Sequence, residues 1–182
     1  MCTFLKCVQV RATVVTRGPD NVMLNATYKN ASNPKFLESL GKAVLGYCEV
    51  IPHGILVFFP SYRMIETLMD FWGRSGILKK LSGYKEVILE PKGKEDFDKA
   101  MTDYYQAVKA RGALLLAVCR GKVSEGIDFS NENARCVIVV GLPLPNIKDT
   151  QVALKKSYNS RFQSKGLLDG EKWYQQQAYR FR

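Results

Sequence analysis

Short apolar runs alternate with amphipathic stretches along most of this chain, and each run is cut off by glycine, proline or charge. Gly54–Pro60 (GILVFFP) carries no polar side chain, as a strand buried on both faces requires, and Pro60, with no N–H to give the ladder, ends it. Glu86–Leu89, Ala113–Val118 and Cys136–Gly141 read as three further strands. Helical spacing fills the gaps. Met64, Leu68, Phe71 and Trp72 share one face behind a capping Ser61. Phe97, Met101, Tyr104 and Val108 form a stripe over Asp96–Val108, and Phe36, Leu40, Val44 and Tyr47 align over Pro34–Tyr47. After Pro143 and Pro145 the pattern predicts helices over Thr150–Phe162 and Asp169–Tyr179. Val8–Val15 supplies one more candidate strand ahead of the Arg17-Gly18-Pro19 turn. Strand–helix alternation without linker or repeat predicts one α/β domain over 1–182, built on a parallel sheet.

Composition changes this picture in one respect. The 182 residues suffice for one well-cored domain, but 27 basic against 17 acidic side chains leave a charge of +10. That balance suits a polyanionic partner such as nucleic acid. Cys2, Cys7, Cys48, Cys119 and Cys136 are odd in number and unpaired in spacing, so neither a disulfide framework nor a zinc site is expected. Cys119 and Cys136 fall where burial is expected. His53 is the sole histidine, which removes most imidazole chemistry. No apolar stretch approaches a membrane span, no leader is expected, and the sequons at Asn25 and Asn30 are expected to be idle.

In open α/β sheets ligands bind beyond the carboxyl ends of strands. Two predicted strands end conspicuously: one in Phe59-Pro60-Ser61-Tyr62, the other in Cys119–Phe129. The second holds Arg120, Gly121, Lys122, Ser124, Glu125, Gly126 and Asp128 between apolar neighbours. Glycine lets backbone N–H groups approach a phosphate, arginine and lysine supply charge, and a carboxylate such as Asp128 can accept from a ribose hydroxyl. Several sharper enzyme readings fail. A P-loop needs glycine and serine or threonine where Leu116 and Val123 stand, and no G-x-G-x-x-G occurs. Cys119 lacks a histidine partner nearby and reads as a structural thiol. Among aromatics that could stack bases (Phe59, Tyr62, Tyr104, Tyr105, Trp173, Tyr174), most fall on apolar stripes; Tyr62, beside a strand end, does not.

These residues carry a resemblance. Val57–Tyr62 (VFFPSY) is similar to motif IV of the XPD-like superfamily 2 DNA helicases, and Ala117–Ser130 (AVCRGKVSEGIDFS) is similar to their motif V. Val137–Asn146 (VIVVGLPLPN) resembles the strand and loop that follow. Gly141–Asp149, Gly166–Tyr174 and Gln177–Arg180 resemble the Fanconi anaemia group J branch, with the telomere-length-regulating branch its near relative. The resemblance runs from Val8 to Arg180 and implies a RecA-like second helicase lobe, with helices on both faces of the sheet. It implies DNA-backbone contacts by Ser61, Tyr62, Arg120, Gly121 and Lys122. Glu125, Gly126 and Asp128 would face the nucleotide in the inter-lobe cleft. It further implies ATP and Mg2+ shared with a first lobe, an iron–sulfur cluster in that first lobe, and 5′-to-3′ movement on single-stranded or forked DNA. Repair proteins as partners and a nuclear location follow by the same analogy.

The departures are equally definite. Walker A and the acidic DEAH-type box belong to the first lobe and are absent from these residues, as are four clustered cysteines for an iron–sulfur cluster. After Gln177-Ala178-Tyr179-Arg180 the family continues into a Q-x-x-G-R-x-x-R helix bearing arginine fingers, where this sequence stops. The expectation is therefore a lobe incomplete at its C-terminus and, alone, inactive as an ATPase. A non-catalytic nucleic-acid-binding module and an inactive truncation product are the alternatives.

Overall fold

The computed structural model describes residues 10–93 and 95–180. Four strands, β1 (Gly54–Phe59), β2 (Glu86–Leu89), β3 (Ala113–Val118) and β4 (Cys136–Val139), form one parallel sheet in the order β2-β3-β1-β4. β1 runs in register with β3 from Gly54↔Ala113 to Phe59↔Val118, and with β4 from Ile55↔Cys136 to Phe58↔Val139. Every residue of the two central strands is buried, as their unbroken apolar runs predict.

The period of two along a strand sorts these side chains onto two faces. Ile55, Val57, Phe59, Leu114 and Leu116 meet α1 (Pro34–Val50), α2 (Tyr62–Arg74) and α3 (Ile77–Tyr84). Leu56, Phe58, Leu115 and Ala117 meet α4 (Glu95–Ala110) through Met101, Tyr104 and Val108. Helices thus cover both faces of the parallel sheet, as expected. Trp72 anchors the first face: it is fully buried and its indole N–H donates to the Leu37 carbonyl at 2.9 Å, so its polar atom is satisfied inside the core. Local signals start the helices where the sequence places them. Asn33 accepts from the Lys35 N–H with Pro34 in the first turn, and the Ser61 hydroxyl accepts from the Met64 N–H.

Several expectations are corrected. The Val8–Val15 strand does not form over residues 10–15, which are irregular and exposed; residues 8 and 9 lie outside the described residues. Its β-branched pattern fits a strand, but the pairing nearby is an isolated bridge between Arg17 and Met23 that closes the predicted turn. α3 escaped the pattern because it is short, starts behind a glycine cap at Gly76 and carries Ser82 and Gly83 within it. The segment between β3 and β4 is partly helical, with α5 (Lys122–Gly126) and a 3-10 turn at Asn131–Asn133. Beyond β4 come α6 (Thr150–Arg161) and α7 (Gly170–Gln176), and the expected Asp169–Tyr179 helix changes to a 3-10 turn at Gln177–Arg180. Cys119 is buried and Cys136 half-buried; the latter sits on edge strand β4, where Val137 and Val139 remain exposed. Among the described residues no helix is long and apolar enough to cross a membrane.

Candidate functional site

Where β3 ends, the chain must turn sharply to start α5, and the turn is made at Arg120, in the left-handed region at φ 64°. Backbone bonds fix both sides of it. The Cys119 N–H donates to the Phe59 carbonyl at 2.8 Å, and the Gly121 N–H donates to the Val118 carbonyl at 3.0 Å. A third element closes the turn from beneath. Glu90, just past the end of β2, is buried at 4% exposure. One of its oxygens accepts from the Val118 N–H at 2.7 Å and the other from the Val123 N–H at 3.1 Å. A buried carboxylate needs such donors to offset lost hydration. Among the described residues it is in no ion pair, so these two N–H groups carry it. Gly121 must be small for the same reason: a Cβ there would stand 2.7 and 2.9 Å from the two Glu90 oxygens.

The turn and α5 form one wall of a cleft of about 590 Å3 at the carboxyl ends of the strands. Tyr62, Arg120, Gly121, Lys122 and Gly126 line it together with Phe97, Asp98 and Ile127. The two ends of the sheet singled out in the sequence therefore do meet. Tyr62 lies beside the cap of α2, half-buried. Burial, and after it the Glu90 charge, pushes its phenol above the ordinary tyrosine range, which keeps it a neutral donor. Lys92 stands 5.7 Å from the Tyr62 ring centre and pairs with Glu66 at 2.5 Å. The Lys122 ammonium donates to the Gly93 carbonyl at 3.0 Å and lies 5.4 Å from the Phe97 ring, leaving further N–H bonds for a ligand. Arginine, lysine and a half-exposed aromatic can hold a phosphodiester and an adjacent base; Asp98 is the one carboxylate in the lining.

The remaining candidates fall less neatly. The Arg120 guanidinium is engaged within the chain: it donates to the Gln177 carbonyl at 2.6 Å and the Pro143 carbonyl at 3.3 Å. Its side chain therefore pins the segment after β4 to the rim of the cleft. The Ser61 hydroxyl caps α2, is exposed, and does not line the cleft. Gly126, expected on the nucleotide side, shares the cleft with the residues expected to meet DNA. Asp128 is exposed and outside that lining, near Tyr105, whose phenol is raised first by burial and then by the Asp128 charge. The Glu125 side chain lies outside what the structure describes. Among the described residues no three histidine, cysteine or acidic side chains stand together as a metal needs, so Mg2+ and an iron–sulfur cluster are assigned to none of them. Glu90 was not among the sequence candidates. Its signal is faint: a lone carboxylate closing an apolar strand, at the end of the sheet where the charged loops gather.

Comparison with known proteins places the chain in a family. The sequence profile of the family described as "Helicase C-terminal domain" matches residues 44–181. Regulator of telomere elongation helicase 1 homologs are 45% identical over 177 residues in Anopheles gambiae and 45% over 175 in Drosophila mojavensis, each covering 94% of this chain. The chain spans only 18% and 17% of those two relatives. Among solved structures, an XPD helicase superposes on 83% of the chain with a TM-score of 0.50 at 23% identity, over 23% of its own length. The Xpd4 protein of S. tokodaii superposes on 81% with a TM-score of 0.51 at 20% identity, over 25% of its length. These structures share the fold. The relatives bear the name of the telomere branch, and the resemblance to the group J branch gains no support from them.

Proposed function

Since the chain belongs to the helicase C-terminal domain family, we propose that it forms the second RecA-like lobe of an ATP-dependent DNA helicase, supplying backbone contacts to the translocating strand. The observation that carries this reading is the cleft: Lys122, Arg120, Gly121 and Tyr62 stand together at the carboxyl ends of the strands, in a chain of charge +10. Phosphate contacts of this kind hold a strand without reading its sequence, which is what movement along DNA requires. Lys122 is the ammonium we assign to a phosphate. Gly121 lets the backbone approach, and Tyr62 offers a ring and a neutral hydroxyl. Arg120 shapes the rim and keeps unbonded guanidinium N–H groups for a phosphate.

In the complete enzyme this lobe would close on a first lobe carrying the ATP-binding loop, with Glu125, Gly126 and Asp128 turned toward the nucleotide and Mg2+ held largely by the other lobe. A 5′-to-3′ polarity, an iron–sulfur cluster in the first lobe, action on forked DNA in repair or replication, repair proteins as partners and a nuclear location complete the proposal. Each rests on likeness to the family. A polypeptide of these 182 residues contains no Walker A and is expected to bind DNA without hydrolysing ATP.

The test is a titration of fluorescent single-stranded DNA at two salt concentrations. Binding should weaken with salt, and Lys122→Ala should weaken it evenly across sequences while lowering the salt slope by about 1. No salt-dependent binding, or DNA-stimulated ATP hydrolysis by this polypeptide, would overturn the reading.

A further inference from the structure

α6 is unusual among the longer helices of this chain: none of its residues is buried. A helix turns about 100° per residue, so its faces can be assigned from its contacts. Lys156 and Ser160 mark the face that meets α7: Lys156 pairs with Glu171 and lies 5.4 Å from the Tyr174 ring, and the Ser160 hydroxyl accepts from the Gly170 N–H at 3.1 Å. Leu154, Tyr158 and Phe162 fall on the opposite face. There Tyr158 is 58% exposed, its ring centre is 4.6 Å from that of Phe162, and the Lys165 ammonium sits 5.0 Å from the Phe162 ring. Lys155 and Arg161 flank this pair on either side. Among the described residues none of Lys155, Arg161 and Lys165 is in an ion pair.

An aromatic pair, Tyr158 exposed and Phe162 half-buried, ringed by three cations outside any ion pair matches a single nucleic-acid strand, which offers flat bases beside regularly spaced negative charge. The hairpin that carries it is fastened to the rim of the cleft. Arg120 holds Pro143 and Gln177 by their carbonyls, and the Tyr174 hydroxyl donates to the Pro145 carbonyl at 2.8 Å. We propose that the outer face of α6 is a second, sequence-independent contact for the strand, taking a base on Tyr158 and Phe162 and phosphates on Lys155, Arg161 and Lys165. The proposal rests on the reading of the cleft as a DNA site, and it makes the footprint on the strand longer than the cleft alone can hold.

Affinity for oligothymidylates of graded length tests it. The 182-residue protein should gain affinity in two steps, the first from the cleft and the second once the strand is long enough to reach α6. Tyr158→Ala should remove about five- to hundredfold of affinity for long strands and leave short ones unchanged. The variant with Lys155→Gln, Arg161→Gln and Lys165→Gln should do likewise with a smaller salt slope, while Lys122→Ala weakens every length. Melting temperatures of the α6 variants should match the parent, since these side chains are not buried. If the α6 variants keep the second step while Lys122→Ala still weakens binding, this proposal falls and the cleft reading stands. If the parent binds no strand of any length, both fall. If polyglutamate competes as well as polythymidylate, the face takes an acidic protein and the proposal also falls.

Discussion

The two halves of this molecule use their side chains differently. Between Gly54 and Val118 nearly every apolar residue enters the core, and both central strands are buried throughout. From Leu142 to Gln177 the chain forms two helices with hardly any core: α6 buries nothing and α7 buries only Gly170. What holds the second half in place is polar. Lys156 pairs with Glu171, and Arg120 and Tyr174 donate to backbone carbonyls. The difference shows where stability and surface chemistry reside. The sheet and its covering helices supply the free energy of folding, while α6 keeps Tyr158, Lys155 and Arg161 in solvent, open to a ligand.

Breaking the core should therefore have the largest effect. Trp72→Ala removes a fully buried ring and leaves the Leu37 carbonyl without its donor, and should cost about 3–5 kcal/mol in chemical denaturation. The turn between the halves comes next. Glu90→Ala orphans the Val118 and Val123 N–H groups and should cost about 2 kcal/mol, with amide exchange in 119–126 rising more than elsewhere. Glu90→Gln retains an acceptor and should cost less. In stability, Arg120→Ala should loosen the α6–α7 segment and not the body: exchange and proteolysis over 142–177 should rise, while the urea midpoint of the body moves little. If the body and the α6–α7 segment loosen together in that variant, the two halves are not energetically separate.

The smallest effect concerns the buried thiols. Burial pushes Cys48 and Cys119 up to about 11, above the ordinary 9.0. The folded state thus holds these protons more tightly than the unfolded one, so they leave stability unchanged below about pH 9 and lower it as pH rises from there toward 11. At neutral pH neither thiol should react with iodoacetamide until the core is opened, and labelling by mass spectrometry checks this.

The contrast between the halves also explains what the sequence makes legible. All four strands are readable within two residues; for the two central ones the reason is that burial on both faces forces unbroken apolar runs such as Ala113–Val118. Edge and surface segments obey looser rules. Val8–Val15 looks like a strand because β-branched residues favour extended backbone, but pairing depends on a neighbour that local pattern does not report. At the site, the charged turn and Tyr62 were visible as strand ends, and the sheet brings them together. The engagement of Arg120 with Gln177, 57 positions away, was not visible, since its acceptors are main-chain carbonyls available at any residue. Glu90 was hidden for a related reason: its partners are N–H groups, which leave no mark in the side-chain pattern. Tyr158 and Phe162 read as ordinary helix residues because only the absence of a covering element distinguishes them.

Glu90 has a consequence for engineering. The shape of the 119–126 turn depends partly on a residue about thirty positions upstream, just past the end of another strand, and that residue in turn restricts position 121 to glycine. The turn is therefore not a portable cassette. Transplanting it into a related scaffold without its carboxylate would carry over the charged side chains and lose the geometry that aims them. A successful graft has to move positions 90 and 121 as a matched pair.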